Sequence, residues 1–246
     1  MFLACDIGNS YIKTGLFEGN KLSQAFSFQD VDRMRKILSE NNISAAGISS
    51  VVPAKTERIL GFPEFSSIPF HLITRSSSFN LKINYKTPET LGVDRLCSVE
   101  GAYFLNCGIK ENEILLSVDM GTATTINIIM HPGEFIGGVI APGVTMMGQA
   151  LHSFTAQLPE VSFDEFDGNI GSSTKSSIAS GLINSTLGLI DRISGYLKQT
   201  HNAHDITIYL TGGNAEKLIP HMDIKFTYEK NLVLFGIKSV CALNLT

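Results

Sequence analysis

Cys5-Asp6-Ile7-Gly8-Asn9-Ser10 closes the first apolar run of the chain, and Val118-Asp119-Met120-Gly121-Thr122-Ala123 closes another 113 positions later. Each ends a β-rich run with Asp-x-Gly and a small polar residue, and each leads into a second such run. An internal echo changes the fold that a sequence implies, because two copies of one supersecondary unit then share the chain. The expectation is an α/β protein of two similar β-β-β-α-β-α halves, divided as 1–115 and 116–246.

The surroundings of each copy fit that plan. Runs 2–7, 11–17 and 21–28 are separated by Gly8-Asn9 and Gly19-Asn20, which predicts an antiparallel meander. Asp30 is expected to cap a helix to about residue 40, with Val31, Met34, Ile37 and Leu38 on one face. Residues 43–52 read as a buried strand, and Pro53 suits the first turn of a helix. Residues 61–69 read as a loop, 71–74 as a short strand and 89–105 as mostly helix. In the second half, strands are expected at 114–118, 124–130 and 134–140, then a helix over 142–151. Residues 163–173 form an acidic loop. Ile178, Leu182, Ile183, Leu187, Ile190 and Ile193 recur at helical spacing and predict one long helix over 176–200. A strand at 206–211 runs into Gly212-Gly213-Asn214, and 232–245 reads as an apolar helix.

Bulk properties narrow the function. Apolar residues are 43 % and charged residues 17 %, a globular mix that argues against disorder. Formal net charge is -4 and there is no basic stripe, so no nucleic-acid partner is expected. Cys5, Cys97, Cys107 and Cys241 form no CxxC pair, which favours a reducing compartment over a disulfide or zinc framework. His71, His131, His152, His201, His204 and His221 have no metal-site spacing. Neither a secretory leader nor an apolar run of membrane-spanning length is visible, so the expected location is cytoplasmic with no membrane partner.

Asp at a strand end followed by Gly suits phosphate and metal chemistry. Gly lets backbone N–H groups approach an anion, and the carboxylate can hold Mg²⁺ directly or through water. Lys13 lies across the first hairpin, where it can meet a phosphate. One such motif alone also reads as a plain hairpin turn; two at related places favour a pair of phosphate loops. Gly212-Gly213 reads either as a third close-approach loop or as a tight strand-to-helix turn. In Gly92-Val93-Asp94-Arg95, Asp94 is placed either to take a proton from an attacking hydroxyl or simply to sit at a helix N-terminus in an ion pair. Thr174 and the serines after it read as helix caps or as substrate hydrogen-bonding groups.

Six motifs then occur in one order: DIGNS at 6–10, TPETLGVDR at 87–95, DMGTATT at 119–125, GGVIAPG at 137–143, TKSSIASG at 174–181 and TGGNA at 211–215. Their order and spacing resemble type III pantothenate kinases, within the superfamily of acetate and sugar kinases and actin. The resemblance implies two actin-like (ribonuclease H-like) lobes, each a mixed five-stranded sheet flanked by helices, with the active site in the cleft between them. It implies ATP-dependent phosphorylation of pantothenate, the first step of coenzyme A biosynthesis, by a homodimer. It assigns Asp94 as general base. It assigns ATP binding to Asp6, Ile7, Gly8, Asn9, Ser10, Tyr11, Ile12, Lys13, Thr122, Gly212 and Gly213. Tyr85, Gly92, Val93, Asp94, Arg95 and Thr174 would line the pantothenate pocket, with Thr174 coming from the partner chain. Asp6 would lie near Mg²⁺, and Asp119 would hold K⁺ or NH₄⁺. Ser10 and Val93 stand where the family commonly has Thr and Ala. The alternatives are another small-molecule kinase of the superfamily, or a non-catalytic nucleotide-binding transcription accessory factor.

Overall fold

The computed structural model describes residues 1–201, 203 and 205–245; His204 lies outside the described residues. The chain forms two compact units. The first comprises Met1–Ile109, Pro132–Ile136 and the C-terminal segment from Asn231, and the second Lys110–His131 and Gly137–Lys230. The sequence reading drew a single boundary at 115/116. The structure instead returns the last helix to the first unit, because that helix packs on elements of residues 1–109.

In the first unit β1 (Phe2–Ile7), β2 (Ile12–Glu18) and β3 (Lys21–Phe28) form the meander, followed by α1 (Arg33–Glu40), β4 (Ala45–Ser50), α2 (Pro53–Leu60) and β5 (Phe70–Leu72). The sheet order is β3-β2-β1-β4-β5, with β1 antiparallel to β2 and parallel to β4. Period-two alternation divides β1 between two cores. Leu3, Cys5 and Ile7 pack with Met34, Ile37, Leu38 and Ile59 of α1 and α2. Phe2 and Ala4 face the other way, among Cys97 of α3 (Val93–Leu105) and Ile237, Val240 and Cys241 of α7 (Leu232–Asn244). A strand buried on both faces reads as a continuous apolar run, which is why residues 2–5 show no alternation in sequence.

The second unit repeats the plan. Its elements are β7 (Glu113–Met120), β8 (Ala123–Met130), β9 (Glu134–Pro142), α4 (Val144–Phe154), α5 (Thr174–His201), β10 (Asp205–Thr211), α6 (Ala215–Leu218) and β11 (Thr227–Tyr228). The strand order is β9-β8-β7-β10-β11, the counterpart of β3-β2-β1-β4-β5. Again the first strand lies at the centre, antiparallel to the second and parallel to the fourth. Ile114, Leu116, Val118 and Met120 of β7 pack against Ile183, Ile190 and Leu197 of α5. The short β6 (Lys82–Ile83) pairs with Glu134 and Phe135, the opening residues of β9 that group with the first unit.

Local details differ from expectation for identifiable reasons. Asp30 does not cap α1: its carboxylate accepts the Asp32 N–H at 3.0 Å and closes a turn ahead of a helix that starts at Arg33. Residues 63–65 and 163–165 each make a 3₁₀ turn inside segments read as loops. Pro142 ends β9 rather than opening α4, which begins after Gly143. Ser173, not Thr174, caps α5, through the Ser176 N–H to Ser173 Oγ bond at 3.2 Å and the reciprocal Ser173 N–H to Ser176 Oγ bond at 3.0 Å.

Candidate active site

The first hairpin brings its polar residues together by register. Asp6 lies opposite Lys13 on β2 and opposite Ser49 on β4. The turn between them closes through the Gly8 N–H to Tyr11 carbonyl bond at 3.0 Å. A Cβ on Gly8 would stand 3.1 Å from that carbonyl, so a larger residue would push the turn open. Asn9, Ser10 and Tyr11 are exposed at its tip, and Ile7 and Ile12 are buried beneath it. The sequence reading missed Lys55. From the first turn of α2 its ammonium donates to the Gly8 carbonyl at 3.0 Å and the Asn9 carbonyl at 2.8 Å, pinning the loop. Only the parallel β1–β4 pairing puts α2 beside that loop, and nothing local to Lys55 announces it.

A second group in the same unit surrounds the start of α3. Asp94 is exposed, and its Oδ1 accepts the Arg95 N–H at 2.8 Å. A Cβ on Gly92 would collide with that Oδ1, so glycine is what lets the carboxylate fold back over the helix N-terminus. The Arg95 guanidinium lies 5.8 Å from the ring centroids of both Tyr85 and Phe135, which stack on each other at 6.0 Å. Such cation–π placement fixes a planar donor without consuming its edge. Val93 is half-buried beside them. Phe135 was not singled out in the sequence, since the β6–β9 pairing that delivers it involves a two-residue strand.

Electrostatics connect these two groups. The Cys97 thiol, one turn into α3, is pushed well above its ordinary value. Burial is the main cause, the Asp6 charge comes next, Ser49 acts the other way, and Asp94 adds a smaller push. Both carboxylates therefore act on one buried thiol. Burial followed by the Asp6 charge also drives up the Cys5 thiol.

Three loops converge in the second unit. Asp119 lies opposite Thr125 and Thr211 in register, as Asp6 lies opposite Lys13 and Ser49. The turn closes through the Gly121 N–H to Ala123 carbonyl bond at 3.0 Å, leaving Thr122 exposed. The Gly143 N–H donates to the Thr122 carbonyl at 2.9 Å, and a Cβ on Gly143 would run into the Gly121 and Thr122 carbonyls. Gly212 has φ +101°, and a Cβ there would stand 2.5 Å from Asp119 Oδ1. Gly213 is exposed next to it, with open space where a Cβ would be. Asn214 ties the loops together, its N–H donating to the Met120 carbonyl at 2.9 Å and its Nδ2 to the Gly121 carbonyl at 3.0 Å. Bare backbone packs closely around the Asp119 carboxylate here, and Gly121, Gly143 and Gly212 add no side-chain bulk to the three loops.

Thr174 belongs to this second unit, whereas Tyr85, Gly92, Val93, Asp94 and Arg95 belong to the first. It lies on the rim of a groove of about 1030 Å³ between α4 and α5. Three of the described histidines have ordinary partners: His71 meets Ser77 Oγ at 2.8 Å, His152 meets the Leu158 carbonyl at 2.9 Å, and His221 packs on Phe166. Among the described residues no group of three or more His, Cys, Asp or Glu side chains is placed to hold a metal, and no helix is long and apolar enough to cross a membrane.

A family model described as type III pantothenate kinase matches residues 2–195. A type III pantothenate kinase of Flavobacterium johnsoniae is 32% identical over 239 residues, which is 95% of this chain and 94% of that protein. One from Frankia alni is 29% identical and is matched over 100% of both chains. Among solved structures, a Campylobacter jejuni chain assigned to the Baf family of transcriptional activators superposes with TM-score 0.58 at 22% identity, covering 99% of this chain and 98% of that one. A Listeria monocytogenes chain assigned as an N-acetylmannosamine kinase does so with TM-score 0.57 at 15% identity, covering 100% and 99%. These two likenesses concern the fold alone, an α/β fold built on two mixed sheets. The family match and the full-length relatives go further: the chain belongs to the type III pantothenate kinases.

Proposed function

We propose that the protein transfers the γ-phosphoryl group of ATP to the primary hydroxyl of pantothenate, giving 4'-phosphopantothenate for coenzyme A synthesis. The observation that carries this reading is the placement of Asp94. Its carboxylate stands exposed at the head of α3, in the same unit as Asp6 and the first hairpin loop, in a chain that belongs to the type III pantothenate kinases. Phosphoryl transfer asks a protein for positioning and charge neutralisation more than covalent work. The residues from Asp6 to Lys13 cradle the transferring phosphate, with Lys13 offsetting its charge. Thr122, Gly212 and Gly213 take the rest of the nucleotide. Tyr85, Gly92, Val93, Arg95 and Thr174 hold pantothenate, Arg95 offering its fork to the carboxylate. The hydroxyl proton passes to Asp94, the new oxygen–phosphorus bond forms, and the bond to the β–γ bridging oxygen breaks to release ADP.

The side chains present fit the ions this reading needs. Asp6 is a partly buried carboxylate beside a phosphate loop, and Mg²⁺ needs only one or two carboxylates when phosphates and water complete its shell. Asp119, whose Oδ1 lies beside the Gly212 backbone, would supply the carboxylate oxygen for a monovalent cation such as K⁺ or NH₄⁺. Bound there, the ions add positive charge around the phosphates.

The test is ATP-dependent phosphorylation of pantothenate by the purified protein with Mg²⁺, comparing K⁺ with Na⁺. Turnover that depends on K⁺ is the expected result. Folded protein that binds ATP and leaves pantothenate unchanged would overturn it. Transfer to a sugar would then point to another kinase of the fold. ATP binding without transfer to any alcohol would point to the accessory-factor reading that the Campylobacter likeness brings to mind.

The homodimer belongs to the same proposal. Met146, Leu151 and Phe154 present apolar side chains along the α4–α5 groove, Phe154 with 89% of its surface exposed, and Thr174 stands on the same groove. Contiguous apolar surface of this kind marks an interface. A second copy is the occupant proposed for it, and the family resemblance has Thr174 contributed across that interface. Phe154→Asp is expected to convert the dimer to monomer in sedimentation and to raise the pantothenate KM; a wild-type monomer would remove the proposal. Buried free thiols such as Cys97 and Cys241, the latter pushed up to about 12 by burial, suit the reducing cytoplasm.

A further inference from the structure

Glu100 is a fully buried carboxylate that the chemistry above does not use. It sits on α3, and every hydrogen bond it makes is one it accepts. The Asn80 N–H donates to Oε2 at 3.2 Å, Asn80 Nδ2 donates to Oε1 at 2.5 Å, and Ser239 Oγ of α7 donates to Oε1 at 2.6 Å. Asn80 Nδ2 also reaches Ser239 Oγ at 3.1 Å, closing the cluster. A carboxylate accepts only, so three donors aimed at it leave no mismatched pair.

What Glu100 holds gives the cluster its meaning. Asn80 begins the short extended segment that leads through buried Leu81 and β6 to Tyr85. Farther along, that segment is held by the Lys82 N–H to the Gly133 carbonyl and the Asn84 N–H to the Phe135 carbonyl, both at 2.9 Å. Tyr85, at its end, packs against Phe135 and Arg95. Arg95 lies on the same helix as Glu100, so α3 holds both ends of the segment: Asn80 through Glu100 and Tyr85 through Arg95. A two-residue strand has little stability of its own, so its position depends on these anchors.

We infer that Glu100 is a positioning residue for the acceptor alcohol, acting through Asn80 on the placement of Tyr85 against Arg95. The inference rests on the reading of Tyr85 and Arg95 as acceptor-binding residues. Small displacements of positioning groups cost rate and affinity far out of proportion to their size.

Glu100→Gln tests it with volume preserved. The Gln oxygen still takes Asn80 Nδ2 and Ser239, but its amide NH₂ then faces the Asn80 N–H, donor against donor. Ser239→Ala is the comparison: it cuts the bond to α7 and leaves both bonds to Asn80. Glu100→Gln is expected to raise the pantothenate KM roughly tenfold with the ATP KM within about twofold of wild type, the scale of one unsatisfied buried donor. Amide hydrogen exchange in residues 80–86 should quicken with it. Ser239→Ala should lower the melting temperature while leaving both KM values and that exchange unchanged. Equal KM behaviour in the two variants, or an unmoved pantothenate KM in Glu100→Gln, would overturn the inference while leaving the proposed function standing. A wild type inactive on pantothenate would remove the proposed function instead. The exchange comparison would then decide whether Glu100 holds the segment, with equal rates in the two variants counting against it.

Discussion

Asp94→Asn is expected to lower turnover by about 10²–10⁴-fold, the usual effect of removing a general base. The substitution changes charge and basicity with almost no change in shape. The carbonyl oxygen of Asn can still accept the Arg95 N–H that Asp94 Oδ1 takes at 2.8 Å, so the head of α3 keeps its local cap. The favourable meeting of a carboxylate with the helix N-terminus is lost, which at an exposed position costs about 0.3–1 kcal/mol. Folding should therefore be almost intact, and the melting temperature should show it. Substrate affinity should also be nearly kept, because Asn can still hydrogen-bond the acceptor hydroxyl. The loss belongs in kcat, since the bond to the proton strengthens only as the hydroxyl attacks. A variant with wild-type kcat would move the base elsewhere in the site. A variant that lost activity only through unfolding would say nothing for Asp94, which is why the melting curve is measured beside it.

The parts of the site that were legible in sequence are those where one residue type answers a local geometric demand. The Asp-x-Gly echo was legible because a close-packed turn selects Gly and the strand end selects a continuous apolar run. The two halves then fold with matching strand order, and Asp6 and Asp119 occupy matching registers. Gly92 and Asp94 were legible together, and the structure gives the reason: the carboxylate lies where a Cβ on residue 92 would be. The rest depends on pairings that no local pattern encodes. Lys55 meets the Gly8 and Asn9 carbonyls only because β4 lies parallel to β1. Phe135 reaches Tyr85 through β6, which is too short to show a period, and β11 went unseen for the same reason. Glu100 reads in sequence as one more polar helix residue; only the packing of α7 and residue 80 around it makes it a buried acceptor.

The chain's division between units turns on another pair of glycines, and they carry the largest expected effect on stability. Gly101 of α3 and Gly236 of α7 lie where the two helices cross. A Cβ on Gly236 would be driven into the Cys97 carbonyl oxygen, with the Cys97 carbonyl carbon at 2.7 Å and the Gly101 nitrogen at 2.9 Å. A Cβ on Gly101 would strike the Leu232 carbonyl oxygen. These neighbours are helix backbone, which cannot swing aside as a long side chain can, so Gly236→Ala must push the helices apart. Two effects then compete. Alanine favours a helix over glycine by about 1 kcal/mol. Overpacking typically costs about 1–3 kcal/mol and more where nothing can yield. The steric cost also spreads, because α7 supplies Ile237, Val240 and Cys241 to the core under β1. The expected net loss is about 3 kcal/mol, a fall in melting temperature of roughly 6–12 °C for a chain of this size. Gly195→Ala on α5 separates the two effects, since nothing lies within 4 Å of the added carbon. There only the helix preference acts, and stability should rise by up to about 1 kcal/mol. Thermal melts of both variants decide the matter: a Gly236→Ala protein as stable as wild type would mean that α3 and α7 do not cross at this separation. Because α3 also carries Asp94 and Arg95, the displaced helix should raise the pantothenate KM of Gly236→Ala even at temperatures where it stays folded.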